Sequence, residues 1–334
     1  MKFYFAPFEG ITGYLYRNAY HELFDCGIDK YFTPFIAVSQ NGLTKSRELE
    51  DLSPEHNRGM TVVPQLLGNN GEQVNHYLHR LREMGYEEVN LNMGCPYQTV
   101  VHKRKGAGLL ADTDLLKEFL EEAFCNPPVK VSIKTRIGME NGEEFAEILD
   151  IYNQYPVSEL IVHPRVREDF YKNHPDLDVF ASAMEKSRAP VCYNGDIFTL
   201  QDFQTITARF PKLERIMLGR GLLTNPGLLS EIIMGKSIDK EELKVFHDRV
   251  FHDYAQIMSG DKNTLFKMKE LWNYFQFLFD NREKCLKKIR KAKTIADYEC
   301  AVDNLFARCP FMRNAAFFIP ANNESGGYVY KSSE

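Results

Sequence analysis

The sequence has no apolar run near the roughly 18 residues that a membrane-spanning helix requires. Its seven cysteines (Cys26, Cys95, Cys125, Cys192, Cys285, Cys300 and Cys309) include no Cys-x-x-Cys pair and no zinc-type spacing, so no metal site is expected. The opening stretch MKFYFAPFEG holds one lysine and too short an apolar segment for a secretory signal. A cytoplasmic protein with reduced thiols, no membrane partner and a monomeric state is therefore expected. There is no global excess of positive charge: the net charge is −5 over 334 residues, so any nucleic-acid contact must come from a local patch. What is present, 44% hydrophobic and 26% charged residues, is the composition of an ordinary globular chain.

Short β-branched runs alternate with segments of helical period as far as about residue 235. The candidate strands are 3–6, 30–36, 61–67, 87–92, 129–135, 159–164, 190–194 and 215–219. Between them Val74, Leu78 and Leu81 share one helical face, as do Leu116, Phe119, Leu120 and Ala123. Phe145, Ile148, Leu149 and Tyr152 form another, and Phe203, Ile206 and Phe210 a fourth. Asp112 or Thr113, and Thr199, stand where N-caps belong. Eight strands separated mostly by helices predict a closed (β/α)8 TIM barrel. An open dinucleotide-binding sheet would need GxGxxG after its first strand, where this chain has Ala6-Pro7-Phe8-Glu9.

Beyond residue 237 only helical spacing remains, in Leu243, Phe246, Val250, Tyr254 and Ile257, then Leu265, Met268, Trp272, Phe275 and Phe279. The expected division is a barrel over 1–236, a small all-helical domain over 237–320 and a disordered tail over 321–334. The stretch 282–293 carries seven Lys/Arg against one Glu, which suits either RNA backbone contact or a solvated helix face.

Barrel active sites lie at the carboxyl ends of the strands. The polar residues there are Glu9 beside Pro7 and Phe8, Gln65, Asn92 with Cys95, Lys134 with Arg136, His163 with Arg165, Asn194-Gly195-Asp196 and Gly219-Arg220-Gly221. The last two groups suit a phosphate, because glycine lets backbone N–H groups come close and Arg220 adds a forked cation. Glycines that merely turn the chain are the alternative. Gln65, Asn92 and Lys134 suit the hydrogen-bonding edge of a flavin, and Lys134 would stabilise its anionic reduced form; a snorkelling surface lysine is the bland alternative. Cys95, between Gly94 and Pro96, could be nucleophile, general acid or core filler, since no second cysteine or histidine stands at ligand spacing. A basic run, His102 to Lys105, follows it and suits a flap that touches something anionic.

Ala6-Pro7-Phe8-Glu9-Gly10, Pro64-Gln65-Leu66-Leu67-Gly68-Asn69, Asn92-Met93-Gly94-Cys95-Pro96, Lys134-Thr135-Arg136, His163-Pro164-Arg165, Asn194-Gly195-Asp196 and Gly219-Arg220-Gly221 resemble, in this order, the flavin-dependent tRNA-dihydrouridine synthases. Lys269 to Phe275 looks like that family's tRNA-binding domain. Phe8 stands where many members have methionine, and Val101 where asparagine is common.

The resemblance implies FMN as cofactor, NADPH (or NADH) as reductant and tRNA as partner. It places Pro7, Phe8, Glu9, Gln65, Lys134 and His163 around the flavin ring and ribityl chain. Asn194, Gly195, Asp196, Gly219 and Arg220 would hold the distal ribityl chain and the phosphate. Cys95 would protonate C5 of a uridine after hydride reaches C6. Asn92 would lie beside the base, with Arg136, Arg165 and Lys103 as further substrate contacts. Two rivals make different predictions. A barrel reductase of a free small molecule would not need residues 237–320, and a tRNA-binding module without turnover would not need Cys95.

Overall fold

The computed structural model describes residues 1–313 other than Asn41, Thr44 and Lys45. The expected tail over 321–334 and the end of the expected helical domain lie outside the described residues. The strands are β1 (Lys2–Phe5), β2 (Ile28–Phe32), β3 (Ile36–Ala37), β4 (Val62–Val63), β5 (Gln65–Leu67), β6 (Glu88–Met93), β7 (Lys130–Arg136), β8 (Leu160–His163), β9 (Val191–Tyr193) and β10 (Arg215–Leu218). Ten segments arise from eight strands because prolines interrupt two of them. Pro34 separates β2 from β3 and Pro64 separates β4 from β5, since a proline cannot donate to the ladder.

All pairings are parallel, in the order β3-β5-β6-β7-β8-β9-β10-β1-β2-β4. The chain passes from β2 through Pro34 into β3 and from β4 through Pro64 into β5, so each end of that order continues, across a proline, a strand next to the other end, and the sheet closes on itself. Around the break the Pro64 carbonyl still accepts from Asn90 N–H at 2.8 Å, and Thr33 Oγ1 accepts from Gln65 N–H at 3.1 Å. This is a (β/α)8 barrel with a helical region after it.

The expected helices form at Gly71–Glu83, Thr113–Ala123, Phe145–Tyr152 and Leu200–Arg209, with Asp112 capping the second through Leu115 N–H at 3.1 Å. A helix at Tyr14–Phe24 escaped the periodicity because its buried face includes Arg17, whose Nη1 donates to Thr12 O at 2.9 Å.

By contact density the chain forms two compact units. The first is Met1–Pro7, Asp29–Gly195 and Phe210–Leu218, and holds the sheet. One end of its interior is closed by charges. Lys30 Nζ lies 2.7 Å from Glu88 and 2.8 Å from Glu159, Arg215 Nε lies 3.0 Å from Glu159, and Tyr4 O–H donates to Glu159 at 2.7 Å. Burial and the Glu159 contact push the Tyr4 phenol well above its ordinary range. Glu159 is the hub, so Glu159→Ala leaves two cations and a phenol without their common acceptor. A loss of about 3 kcal/mol is expected, read as a thermal midpoint lower by roughly 6 °C or more.

The second unit is, among the described residues, Phe8–Ile28, Asp196–Arg209 and residues 219–313. Its long helices are Lys240–Ile257, Asp261–Phe275 and Ile295–Arg308, with the shorter Glu283–Lys291 between the last two. At their centre Trp272 Nε1 donates to Tyr298 Oη at 2.8 Å, and Tyr298 Oη lies 2.7 Å from His247 Nε2. The Asp248 carboxylate only accepts, so the ring proton of His247 sits on Nδ1, 2.9 Å from it, and the bare Nε2 takes the phenol proton of Tyr298.

Burial holds the His247 pKa below its ordinary 6.5, against the opposing pull of Asp248 and Asp303 and with Lys244 adding to the shift. The unfolded chain therefore takes up a proton near pH 6.5 that the folded unit refuses. This contribution to stability is complete above that pH and is lost as pH falls through the lowered value. Trp272, the only tryptophan, is buried against this ring, so its fluorescence melt should shift down between pH 7.5 and 5. His247→Gln should flatten that dependence.

Candidate active site

In the first unit, period-two alternation along β6 and β7 sends Asn90, Asn92, Ser132, Lys134 and Arg136 to one face. Asn90 is paired in register with Ser132, and Asn92 with Lys134. Gln65 is paired with Asn90 from the other side. The sequence reading singled out Gln65, Asn92, Lys134 and Arg136 but missed Asn90 and Ser132. Their spacing, two residues before Asn92 and Lys134, was the available signal. The structure brings these six together with Cys95.

Cys95 leaves β6 on a loop whose backbone is held at several points. Asn92 Oδ1 accepts from Gly94 N–H at 3.0 Å and Cys95 N–H at 2.9 Å, while Cys95 O accepts from Ala107 N–H at 3.1 Å. Cys95 is 6% exposed, so its thiol is shielded from bulk water. Gly106, at φ +56°, packs so closely that an added Cβ would lie 3.0 Å from Cys95 Cβ. The basic run between them includes a short helix's end, with Lys105 Nζ donating to Val38 O at 2.9 Å and Asn69 Nδ2 to Lys103 O at 2.9 Å. The segment expected to act as a flap is thus pinned at both sides, with Lys103 exposed on it.

Arg136 is 1% exposed, and its guanidinium spans three carbonyls. Nε donates to Gly94 O at 2.9 Å, Nη1 to Val166 O at 2.8 Å and Nη2 to Phe170 O at 2.6 Å. It ties the cysteine loop to the loop after β8, beneath the Tyr171 ring at 5.5 Å. Arg165 does similar work, with Nε donating to Asn173 O at 2.6 Å and Nη1 to His163 Nε2 at 3.1 Å. A guanidinium only donates, so Nε2 is the acceptor and the His163 ring proton sits on Nδ1.

Lys134 stands apart. Among the described residues its ammonium has no hydrogen bond or ion pair, although it rises from a strand of buried neighbours. Burial first, then the Arg136 charge, lowers its pKa to about 8, with the Cys192 and Cys95 thiols pulling the other way. An uncompensated cation here is an electrostatic demand for an anion or an electron-rich acceptor.

Of the remaining residues of this unit, Pro7 is half-buried at the end of β1. Asn194 takes Val162 O as acceptor at 3.0 Å through its N–H, and Met217 O at 2.8 Å through Nδ2. Gly195 is required sterically, because a Cβ would lie 2.1 Å from the Tyr193 hydroxyl oxygen.

The second unit holds Phe8, Glu9, Asp196, Gly219 and Arg220. Phe8 N–H donates to Thr12 Oγ1 at 2.8 Å, and its ring meets Tyr274 edge-on at 6.3 Å; Glu9 is exposed. Arg220 Nη2 donates to Asp196 Oδ1 at 2.6 Å, and its guanidinium covers the Phe198 ring at 5.2 Å. Gly219 precedes the short helix Arg220–Thr224. In the same unit the helix Glu283–Lys291 buries Leu286 and Ile289 and leaves Lys284, Lys287, Lys288, Arg290 and Lys291 exposed. No cluster of metal-ligating side chains occurs among the described residues, and no helix there is long and apolar enough to cross a membrane.

A parallel barrel with a buried thiol and an uncompensated lysine among its interior polar residues defines a class of barrel proteins with a built chemical site. Solved structures share its fold. A variant of NCR from Zymomonas mobilis matches with a TM-score of 0.51 at 16% identity, covering 73% of this chain and 90% of that one. Morphinone reductase in complex with tetrahydroNAD matches at 0.50 and 11% identity, over 73% and 90%. The sequence is more particular. The family model described as dihydrouridine synthase matches residues 4–311, and the chain belongs to that family. A tRNA-dihydrouridine(16) synthase of Shigella flexneri is 32% identical over 239 residues, 68% of this chain and 74% of that protein. The protein of the same name from Yersinia pestis is 27% identical over 317 residues, 91% and 99% of the two chains.

Proposed function

We propose that this protein reduces the C5–C6 double bond of a uridine in tRNA to 5,6-dihydrouridine, using FMN and a nicotinamide reductant, NADPH or NADH. The observation that carries the reading is the buried Cys95 on a loop held from the barrel interior, in the same set of residues as the uncompensated Lys134. The residues present fit a flavin: Lys134 calls for an electron-rich partner, and Gln65 adds an amide on the same interior face. In this reading Lys134, Gln65, His163 and Pro7, with Phe8 and Glu9, hold the ring and ribityl chain. Asn194, Gly195, Asp196, Gly219 and Arg220 hold its distal part and phosphate.

When bound and reduced, FMN supplies a hydride, which goes to C6 of the uracil. Cys95 Sγ holds the proton that C5 needs, and an ordinary thiol, with a pKa near ~8.5, keeps it at neutral pH. Asn92 orients the cysteine loop and lies beside the base. Arg136 and Arg165 frame the substrate side through the loops they tie, and Lys103 offers an exposed cation for RNA phosphate. A uridine must leave the tRNA fold to reach a barrel interior, which gives residues 237–320 the task of holding the RNA. The exposed lysines and arginine of Glu283–Lys291 suit backbone contacts by counterion release. A tRNA substrate places the work in the cytoplasm.

The test is mapping of dihydrouridine in tRNA from a strain lacking this gene and from the same strain with it restored. Position 16, named for the relatives, is the first to inspect. Dihydrouridine that is identical in both strains would sink the proposal, as would a purified protein that stays colourless after incubation with FMN.

A further inference from the structure

The interior amides of the barrel form a line whose polarity can be assigned atom by atom. At one end stand the N–H groups of Gly94 and Cys95, which can only donate, so Asn92 turns its oxygen to them. Asn92 Nδ2 then donates to Gln65 Oε1 at 2.7 Å, and Gln65 Nε2 donates to Asn90 Oδ1 at 2.8 Å. Asn90 Nδ2 donates to Ser132 Oγ at 3.0 Å, and Ser132 Oγ lies 3.5 Å from Val89 O. Gln65, Asn90 and Ser132 are at most 1% exposed. Reversing any one amide would set oxygen against oxygen or N–H against N–H, a cost that water cannot relieve at these positions.

The inventory of Asn92 then closes. Its oxygen has two lone pairs and accepts two N–H groups; one of its two N–H groups is given to Gln65. One N–H remains.

We propose that Gln65, Asn90 and Ser132 are positioning residues that lock Asn92 in the sense its contacts with Gly94 and Cys95 set, so that it holds the Cys95 loop with its oxygen and meets the substrate only as a donor. Resting on the uridine-reducing reading, this identifies what the donor meets: the C4 carbonyl oxygen of uracil, conjugated to the double bond that is reduced. Hydride arrival at C6 sends the electron pair of that bond toward C5 and this oxygen, and the proton from Cys95 then forms the C5–H bond. A fixed N–H stabilises the oxygen most while it carries charge, so the device acts on turnover more than on binding. Cytosine has an amino group at C4 and would place N–H against N–H.

The test uses the FMN-loaded, full-length protein and three substitutions outside the thiol and its loop. Asn90→Leu removes Gln65's partner and should lower kcat for dihydrouridine formation about tenfold or more, with little change in KM for tRNA. Ser132→Ala should lower it about three- to tenfold, and Ser132→Thr, which keeps the hydroxyl, should stay near wild type. Reduction of the bound flavin by NADPH should be unchanged in the two Ser132 variants. A second readout needs no turnover: iodoacetamide labelling of Cys95, followed by peptide mass spectrometry, should be several-fold faster in Asn90→Leu and Ser132→Ala.

Wild-type kcat together with wild-type labelling in both of those variants overturns the positioning role. If Asn90→Leu does not fold, Ser132→Ala against Ser132→Thr decides it. Reduction of a tRNA carrying cytidine at the target position, at the rate seen with uridine, overturns the donor-only reading. A wild-type enzyme that makes no dihydrouridine refutes the proposed function instead, while the labelling comparison still decides whether the amide line holds the loop.

Discussion

Cys95→Ala is expected to lower dihydrouridine formation by about a hundredfold to ten-thousandfold, the range over which a positioned general acid contributes. The loss should be confined to the step that uses tRNA. The protein should still fold, because the substitution removes one small atom from a loop that Asn92, Ala107 and Arg136 hold by its backbone. It should remain yellow, and NADPH should bleach it at the wild-type rate. Cys95→Ser should rescue little, since a hydroxyl is a far weaker acid than a thiol. The measurement is single-turnover oxidation of the pre-reduced protein by tRNA, with dihydrouridine counted in the product. Rates within threefold of wild type in the alanine variant would remove Cys95 from the mechanism and return it to the role of filler.

Lys134→Met is expected to act in opposite directions on stability and on cofactor binding. Folding lowers the Lys134 pKa from an ordinary 10.5 to about 8. A lysine with a depressed pKa contributes its stabilisation only above the unfolded value, and that contribution is lost as pH falls toward the folded one. At neutral pH the ammonium therefore costs stability, and the flavin-free Lys134→Met protein should melt a few degrees higher than wild type.

FMN affinity should fall instead, by about 10- to 100-fold, the weight of one charge-assisted contact. Its pH dependence carries the sign. An electron-rich partner raises the Lys134 pKa, so binding above pH 8 takes up a proton and weakens as pH rises, by up to tenfold per unit. Titrations that follow flavin fluorescence from pH 7 to 9.5 should show this slope in wild type and a flat line in Lys134→Met. Parallel slopes in the two proteins would mean that Lys134 does not face the cofactor.

Both predictions concern residues that were visible in the sequence, and the reason is geometric. Cys95 sits between Gly94 and Pro96, an odd setting for a core residue. Lys134 breaks an apolar strand at a position whose period-two phase points inward. Buried parallel strands are written in β-branched residues, so all eight strand positions could be placed, including the two that Pro34 and Pro64 divide. A polar residue on an inner face hid the helix Tyr14–Phe24, where Arg17 is buried; on Lys240–Ile257 the helix was legible but the burial of His247 was not.

The sequence alone determined the order of strands and helices, the closed barrel and the family motifs, because these depend on local period and on residues near one another in the chain. Only the tertiary structure decided what those residues touch. Arg136, expected at the substrate, spends its donors on Gly94, Val166 and Phe170, and Asn92 answers to Gln65, Asn90 and Ser132. A hydrogen bond depends on distance and direction between atoms that lie tens of residues apart along the chain, and residue spacing carries neither.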